Sequence, residues 1–184
     1  MVTLRQVLKN ISKGQSGIRT KAIISELENV FKELKDKIEL VHAMTEAGGT
    51  TIYLKIPSQD KNIFYDVIIW FHSKDRITLD TEFKVYSNSP FFAYNLAYVF
   101  NKNDSLLFPN YYQAIIIRQQ PKIRNPLETT GFDKHVYSAL RFVAKQNLSD
   151  LIKMFENKNE PIVKPFEEKV KETEYLKKRG ILYK

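Results

Sequence analysis

The sequence predicts an α+β fold: a mainly antiparallel sheet of about five strands packed with helices, with helical extensions at both ends. Three observations carry this. Residues 18–37 place Ile24, Leu27, Phe31 and Leu34 on one helical stripe. Residues 38–86 then run through consecutive strand patterns joined by turn signals. Helical spacing resumes at Pro90.

Taken in order, Leu4, Val7, Leu8 and Ile11 have helical spacing, so residues 3–10 read as a short helix with Thr3 as its cap. SKGQSG at 12–17 is a break. In the 18–37 helix, the pairs Glu28/Lys32 and Glu33/Lys37 are expected on the outer face. IELVHAMT and TTIYLKI flank EAGG, a hairpin built on Gly48-Gly49. FYDVIIWF (64–71) is almost continuously apolar, as a strand covered on both faces would be. Residues 77–86 alternate, with Ile77, Leu79, Phe83 and Val85 on one side and Asp80, Glu82, Lys84 and Tyr86 on the other. Ser89 and Pro90 then start a helix over 90–101 that is apolar nearly all round. AIII (114–117) reads as the fifth strand, and Pro121 and Pro126 keep QQPKIRNP extended. Helices follow at 133–146 and 149–157. The expected organisation is one domain over 1–157, opening with a basic segment at 1–17, then a polar extension over 158–184.

Composition narrows the chemistry. At 184 residues, with 43% hydrophobic and 12% aromatic content, the chain can bury one sizeable core. No apolar run approaches the ~18 residues a membrane helix needs, and Arg5 and Lys9 interrupt the apolar opening where a signal peptide would have its core. With no cysteine, disulfides, thiolate zinc sites and cysteine nucleophiles are excluded. His42, His72 and His135 stand too far apart in sequence to form a ligand pair on one helix turn. No glycine-rich phosphate loop, nucleophile elbow or histidine-centred triad is present, and no small-molecule substrate is suggested.

The net charge of +8 favours phosphate backbones or acidic partners. Arg5, Lys9, Lys13, Arg19 and Lys21 precede the first acid, Glu26, and Arg118, Lys122 and Arg124 sit in a stretch without carboxylates. These eight residues are the candidate nucleic-acid contacts. A lysine-rich solvated surface explains the same charge equally well. The Ser87-Asn88-Ser89 run reads as a plain helix cap ahead of an anion site. Phe91, Phe92, Tyr94, Tyr98 and Phe100 are expected mainly in the core, with a stacking platform or interface as the alternative. Tyr111-Tyr112, beside Pro109, is expected in a loop as a partner contact.

One constellation points to catalysis. Asp66 lies on one strand and Glu82-Phe83-Lys84 on the next, and Glu82 and Lys84 share a strand face. Two carboxylates and a lysine of this kind can hold a divalent metal and activate water for phosphodiester cleavage. The pattern resembles the D…ExK signature of the restriction-endonuclease-like nucleases. By that resemblance Asp66 and Glu82 would hold Mg²⁺ or Mn²⁺, and Lys84 would assist the nucleophile or the transition state. The ExK triplet recurs at Glu33, Glu156 and Glu167, and alternating charge is also the ordinary look of a solvated strand face.

A second resemblance rests on EFKVYSNSPFFAYNLAYVF (82–100) and KIRNP (122–126). These segments look like parts of small accessory proteins of tailed bacteriophages of low-GC hosts, and cover about a quarter of the chain. The resemblance implies a virion or particle-associated role and assigns no functional residue. The expectation is therefore a structural or assembly protein of a phage-like particle, in the virion or host cytoplasm. It would contact other subunits, with packaged DNA as a further partner, and would need no cofactor. A D…ExK nuclease is the alternative, and a nucleic-acid-binding regulator the third.

Overall fold

The structure, a computed structural model, describes residues 1–13, 17–46, 48–59, 63–113, 125, 128–146 and 148–154. The expected strand at 114–117, most of the QQPKIRNP segment, the end of the 149–157 helix and the 158–184 extension lie outside the described residues.

Among the described residues, five strands form one antiparallel sheet: β1 (Val2–Thr3), β2 (Glu39–Glu46), β3 (Gly49–Pro57), β4 (Phe64–Phe71) and β5 (Glu82–Ser87), in the order β1-β5-β4-β3-β2. The fold is thus α+β. The β2–β3 hairpin closes where the sequence placed it, with Glu46 opposite Gly49 and Gly48 at φ +88°. Gly49 is required for a second reason: a Cβ there would lie 2.2 Å from the Phe71 carbonyl oxygen and 2.8 Å from the Trp70 indole. The strand β1 pairs Val2 with Phe83 at one end of β5. Farther along, Val85 bonds Ser105 O (2.9 Å) and receives Leu107 N (3.0 Å), so the 105–107 segment shields the rest of that edge.

The helices follow their caps. Thr3 Oγ1 accepts from Gln6 N (3.2 Å) while Gln6 Oε1 accepts from Thr3 N (2.9 Å), a reciprocal capping box that starts α1 (Leu4–Lys13). Helix α2 spans Gly17–Leu34 and tightens into a 3₁₀ turn at Lys35–Lys37. Ser89 caps α3 (Pro90–Asn95), which meets α4 (Ala97–Lys102) at Leu96 rather than running on as one helix. Helix α5 (Pro109–Gln113), Asp133-capped α6 (Lys134–Ala144) and α7 (Leu148–Lys153) complete the described set. No helix among the described residues is long and apolar enough to cross a membrane.

The two sheet faces differ. Ile52, Leu54, Ile56, Val67, Ile69, Phe71, Phe83 and Val85 are fully buried on one face. The Tyr65 and His135 rings, 4.4 Å apart, place α6 over that face, and its Val136, Ala139 and Val143 join the same core. On the other face Tyr53, Asp66, Ile68 and Tyr86 are also buried, and Tyr86 meets Phe108, Tyr111 and Tyr112. Strand β4 is thus covered on both sides over most of its length, as its apolar run requires. The 77–86 strand is shorter than its alternation suggested. Thr78 and Thr81 bond each other to make a turn, Leu79 is exposed, and pairing begins at Glu82. Tyr86, expected with the outward charges, is 2% exposed because the 108–112 segment folds over it.

Helix α2 lies against α6 through Leu27, Phe31 and Tyr137. Glu28 does not serve an outer-face pair with Lys32. It accepts from the Tyr137 hydroxyl, and its Oε1 lies 2.6 Å from Arg141 Nε, close in distance although the N–H is not aligned as a hydrogen bond. Burial pushes the Glu28 carboxyl up, but the Tyr137 hydroxyl and Arg141 guanidinium outweigh it and hold the group below the usual carboxylate range. A depressed folded value means stability that is present above about pH 4.3 and lost as pH falls through the folded value. Glu28→Gln should therefore cost about 0.5–1 kcal/mol at neutral pH, a small figure because Arg141 is 40% exposed. Urea unfolding at pH 7 and pH 3 checks this: the gap between variant and wild type should close in acid, and an unchanged gap contradicts it.

Candidate functional site

The β4–β5 register decides the fate of the D…ExK constellation. Val67 faces Ser87 and Phe71 faces Phe83, so Asp66 lies beside Asn88 at one end of the pair and Glu82 beside His72 at the other. Asn88 and Glu82 are six positions apart on nearly extended chain, which is roughly 20 Å. Glu82 and Lys84 share a sheet face, as their spacing implied, and the register puts Asp66 on that face too, but the carboxylates do not converge.

Each of the three is committed elsewhere. Asp66 is 1% exposed. Its Oδ1 accepts from Tyr53 Oη (2.8 Å) and its Oδ2 from Asn88 Nδ2 (2.9 Å), while its backbone N donates to Asn88 Oδ1 (2.8 Å). Burial, then the adjacent Asp66 charge, pushes the Tyr53 phenol well above its usual value, so it stays a neutral donor. Glu82 Oε2 lies 3.4 Å from His72 Nδ1, and the His72 ring stacks on Trp70. Lys84 Nζ donates to Asp104 Oδ1 at 2.9 Å, and this bond and its charge hold the Asp104 carboxyl down. Among the described residues, no three His, Asp or Glu side chains group to hold a metal ion. The missed signal was connectivity. In adjacent antiparallel strands the far end of the first meets the far end of the second, so Asp66, remote from the 72–81 connection, and Glu82, next to it, cannot be neighbours.

The candidate basic face is described only in part. Arg5 forms a two-point pair with Asp80, Nε–Oδ1 2.6 Å and Nη2–Oδ2 2.8 Å, and its backbone N donates to Leu79 O (2.7 Å). It fastens α1 to the 78–81 turn, and Asp80 offsets its charge. Lys9 is exposed and lines a polar cleft of about 430 Å³ with Gln6, Asn10, Asn103, Glu128 and Thr130. Lys13, Arg19 and Lys21 lie on α1 and α2, their side chains outside the described set. Arg118, Lys122 and Arg124 lie outside the described residues altogether.

The aromatic helix gives a clearer surface. Phe92 and Phe100 point inward, 5.6 Å apart, and Phe100 reaches Phe83 at 6.1 Å. Phe91 is 57% exposed and Tyr94 46%, with Tyr98 partly exposed one turn on. The expectation of burial all round is thus corrected: the 92/96/100 stripe enters the core, and the 91/94/98 stripe faces outward. No charged residue occurs from Ser87 to Asn101, in a chain that is 27% charged. That gap in the charge pattern was the readable sign of the outward aromatic stripe. Tyr112 is also corrected from partner contact to core: it is 1% exposed, and its hydroxyl bonds the Ser87 backbone. The Ser87-Asn88-Ser89 run is a cap, Ser89 Oγ accepting from Phe92 N at 3.2 Å.

No protein-family model, curated protein or solved structure matches this chain.

The separation of Asp66 from Glu82 predicts no DNA cleavage in Mg²⁺ or Mn²⁺ by wild type or Glu82→Gln, read on supercoiled plasmid and single-stranded DNA. Metal-dependent cleavage that Glu82→Gln abolishes would contradict this geometry.

Proposed function

We propose that this chain is a structural or assembly protein of a phage-like particle, held to neighbouring subunits through the outer face of α3. The observation that carries the reading is the exposed Phe91–Tyr94 stripe in a charge-free stretch. Exposed aromatic side chains on a helix whose own sequence carries no charge have the composition of an interface core, where burial of rings supplies most of the binding energy. The helix that bears them is preorganised by the Ser89 cap and by Phe92 in the core, so little ordering cost falls on docking. The +8 charge supports packaged DNA as a second contact, made by lysines and arginines elsewhere on the surface. The resemblance of the 82–100 block to phage accessory proteins is the reason for naming a particle.

Density-gradient sedimentation of lysates from cells producing the particles tests the reading. The protein should travel with particle-sized material, and a Phe91→Ser/Tyr94→Ser variant should be left at the top of the gradient. Wild-type protein found only at the top, as a free 21.6 kDa chain, would overturn it.

A further inference from the structure

We propose that the polar cleft between α1, the end of α4 and residues 128–130 binds a small polyhydroxylated anion of the sugar-phosphate class. The inference is independent of the reading of α3. The cleft's volume, about 430 Å³, falls within the roughly 300–1,000 Å³ of small-molecule sites. Its walls are tied together without any ligand. Thr3 and Gln6 cap α1, Val2 N donates to Ser105 Oγ at 2.7 Å, and Asn10 Nδ2 donates to Thr130 Oγ1 at 2.8 Å. Lys102 is bonded to Glu128, which joins α4 to the third wall. Asn125 holds the turn that carries Glu128, its side chain accepting from Thr129 N at 3.1 Å and donating to Thr129 O at 2.9 Å. Glu128 itself is held at φ +48°, a left-handed conformation of the kind that persists at ligand sites where surrounding contacts enforce it.

The lining residues name the ligand class. Gln6, Lys9 and Asn10 share one face of α1. Thr130 is the most buried polar residue of the lining, at 3% exposed, and with its oxygen taken by Asn10 its hydroxyl hydrogen is left to donate. Asn10 keeps its Oδ1, and so does Asn103, whose Nδ2 donates to Val99 O. Gln6, whose Oε1 accepts from Thr3 N, keeps its Nε2. Donors and acceptors side by side match hydroxyl groups, which both donate and accept. Charge adds the anion. Glu128 is paired with Lys102, and Asp104, next to Asn103, with Lys84. Lys9 is exposed and has no ion pair among the described residues, so the unmatched charge of the cleft is positive. No aromatic side chain is among the described lining residues, so a nucleobase would find no ring to stack on, which favours a sugar phosphate over a nucleotide.

Titration calorimetry on the full chain, with glucose 6-phosphate, inorganic phosphate and glucose as probes, tests the proposal. Glucose 6-phosphate should bind at one site per chain, at least about tenfold more tightly than inorganic phosphate or glucose, since it alone engages Lys9 together with the amide and hydroxyl groups. Lys9→Gln should weaken that binding about tenfold, the loss of one hydrogen bond to a charged group. Lys9 is exposed, so the thermal unfolding of this variant should match wild type. Lys153→Gln removes the same charge from α7, which packs on β2 at the opposite edge of the sheet from β1, and should leave the affinity unchanged. Absence of saturable glucose 6-phosphate binding up to about 10 mM would overturn the proposal. So would inorganic phosphate binding as tightly as glucose 6-phosphate, or a loss with Lys9→Gln no greater than with Lys153→Gln. Either of these would mean that a basic surface attracts any anion and that the cleft selects none.

Discussion

The arrangement depends on one buried carboxylate shared by two helix starts. Asp133, 3% exposed, caps its own helix by accepting from Val136 N at 2.7 Å and also accepts the hydroxyl of Ser89, which caps α3. His135 Nδ1 stands 3.4 Å from the same Oδ2. A carboxylate this deep is tolerated only when several donors address it, and a helix N-terminus supplies both amides and a favourable dipole. The consequence is geometric: the cap-to-cap bond sets the start of α3 against the start of α6, and with it the direction in which Phe91 and Tyr94 face.

The same segment holds two further ties. Ser87 exchanges hydrogen bonds with the buried Tyr112 hydroxyl, at 3.1 and 2.7 Å, and its own Oγ accepts from Ser89 N. Asn88 clasps Asp66. Three consecutive residues thus join the end of β5 to α5, to β4 and β3, and to α6. Asp66, the acid with the most catalytic appearance in the sequence, belongs to this clamp. Each of its oxygens accepts a hydrogen bond, from Tyr53 and from Asn88, which lets a polar group sit under a covered sheet face.

Local signals were legible where a residue's own chemistry fixes the chain. Gly48-Gly49, the Ser89-Pro90 start, the Asp133 start and the apolar run 64–71 all formed the expected elements. What escaped the sequence depended on distant partners. Val2–Thr3 is a strand only because Phe83 and Ser105 receive it, and Tyr86 is buried only because residues 108–112 return over it. Glu28 turns to α6 because Tyr137 and Arg141 wait there, which no spacing within α2 reveals. The site was misread for a similar reason. Face-sharing could be read from alternation, but whether two acids meet depends on register, and register put them at opposite ends of a strand pair. The outward aromatic stripe was partly visible in the charge-free run, although composition alone does not divide it from the stripe that enters the core.

The most direct test of this account is a double-mutant cycle on Ser89→Ala and Asp133→Ala, read by chemical denaturation. If one shared hydrogen bond joins the two caps, the single losses will not add, and the coupling should reach about 1 kcal/mol or more, since a bond to a charged group is worth roughly 1.5–3 kcal/mol. Losses that add to within about 0.5 kcal/mol would mean that the caps act independently and that α3 is oriented by something else.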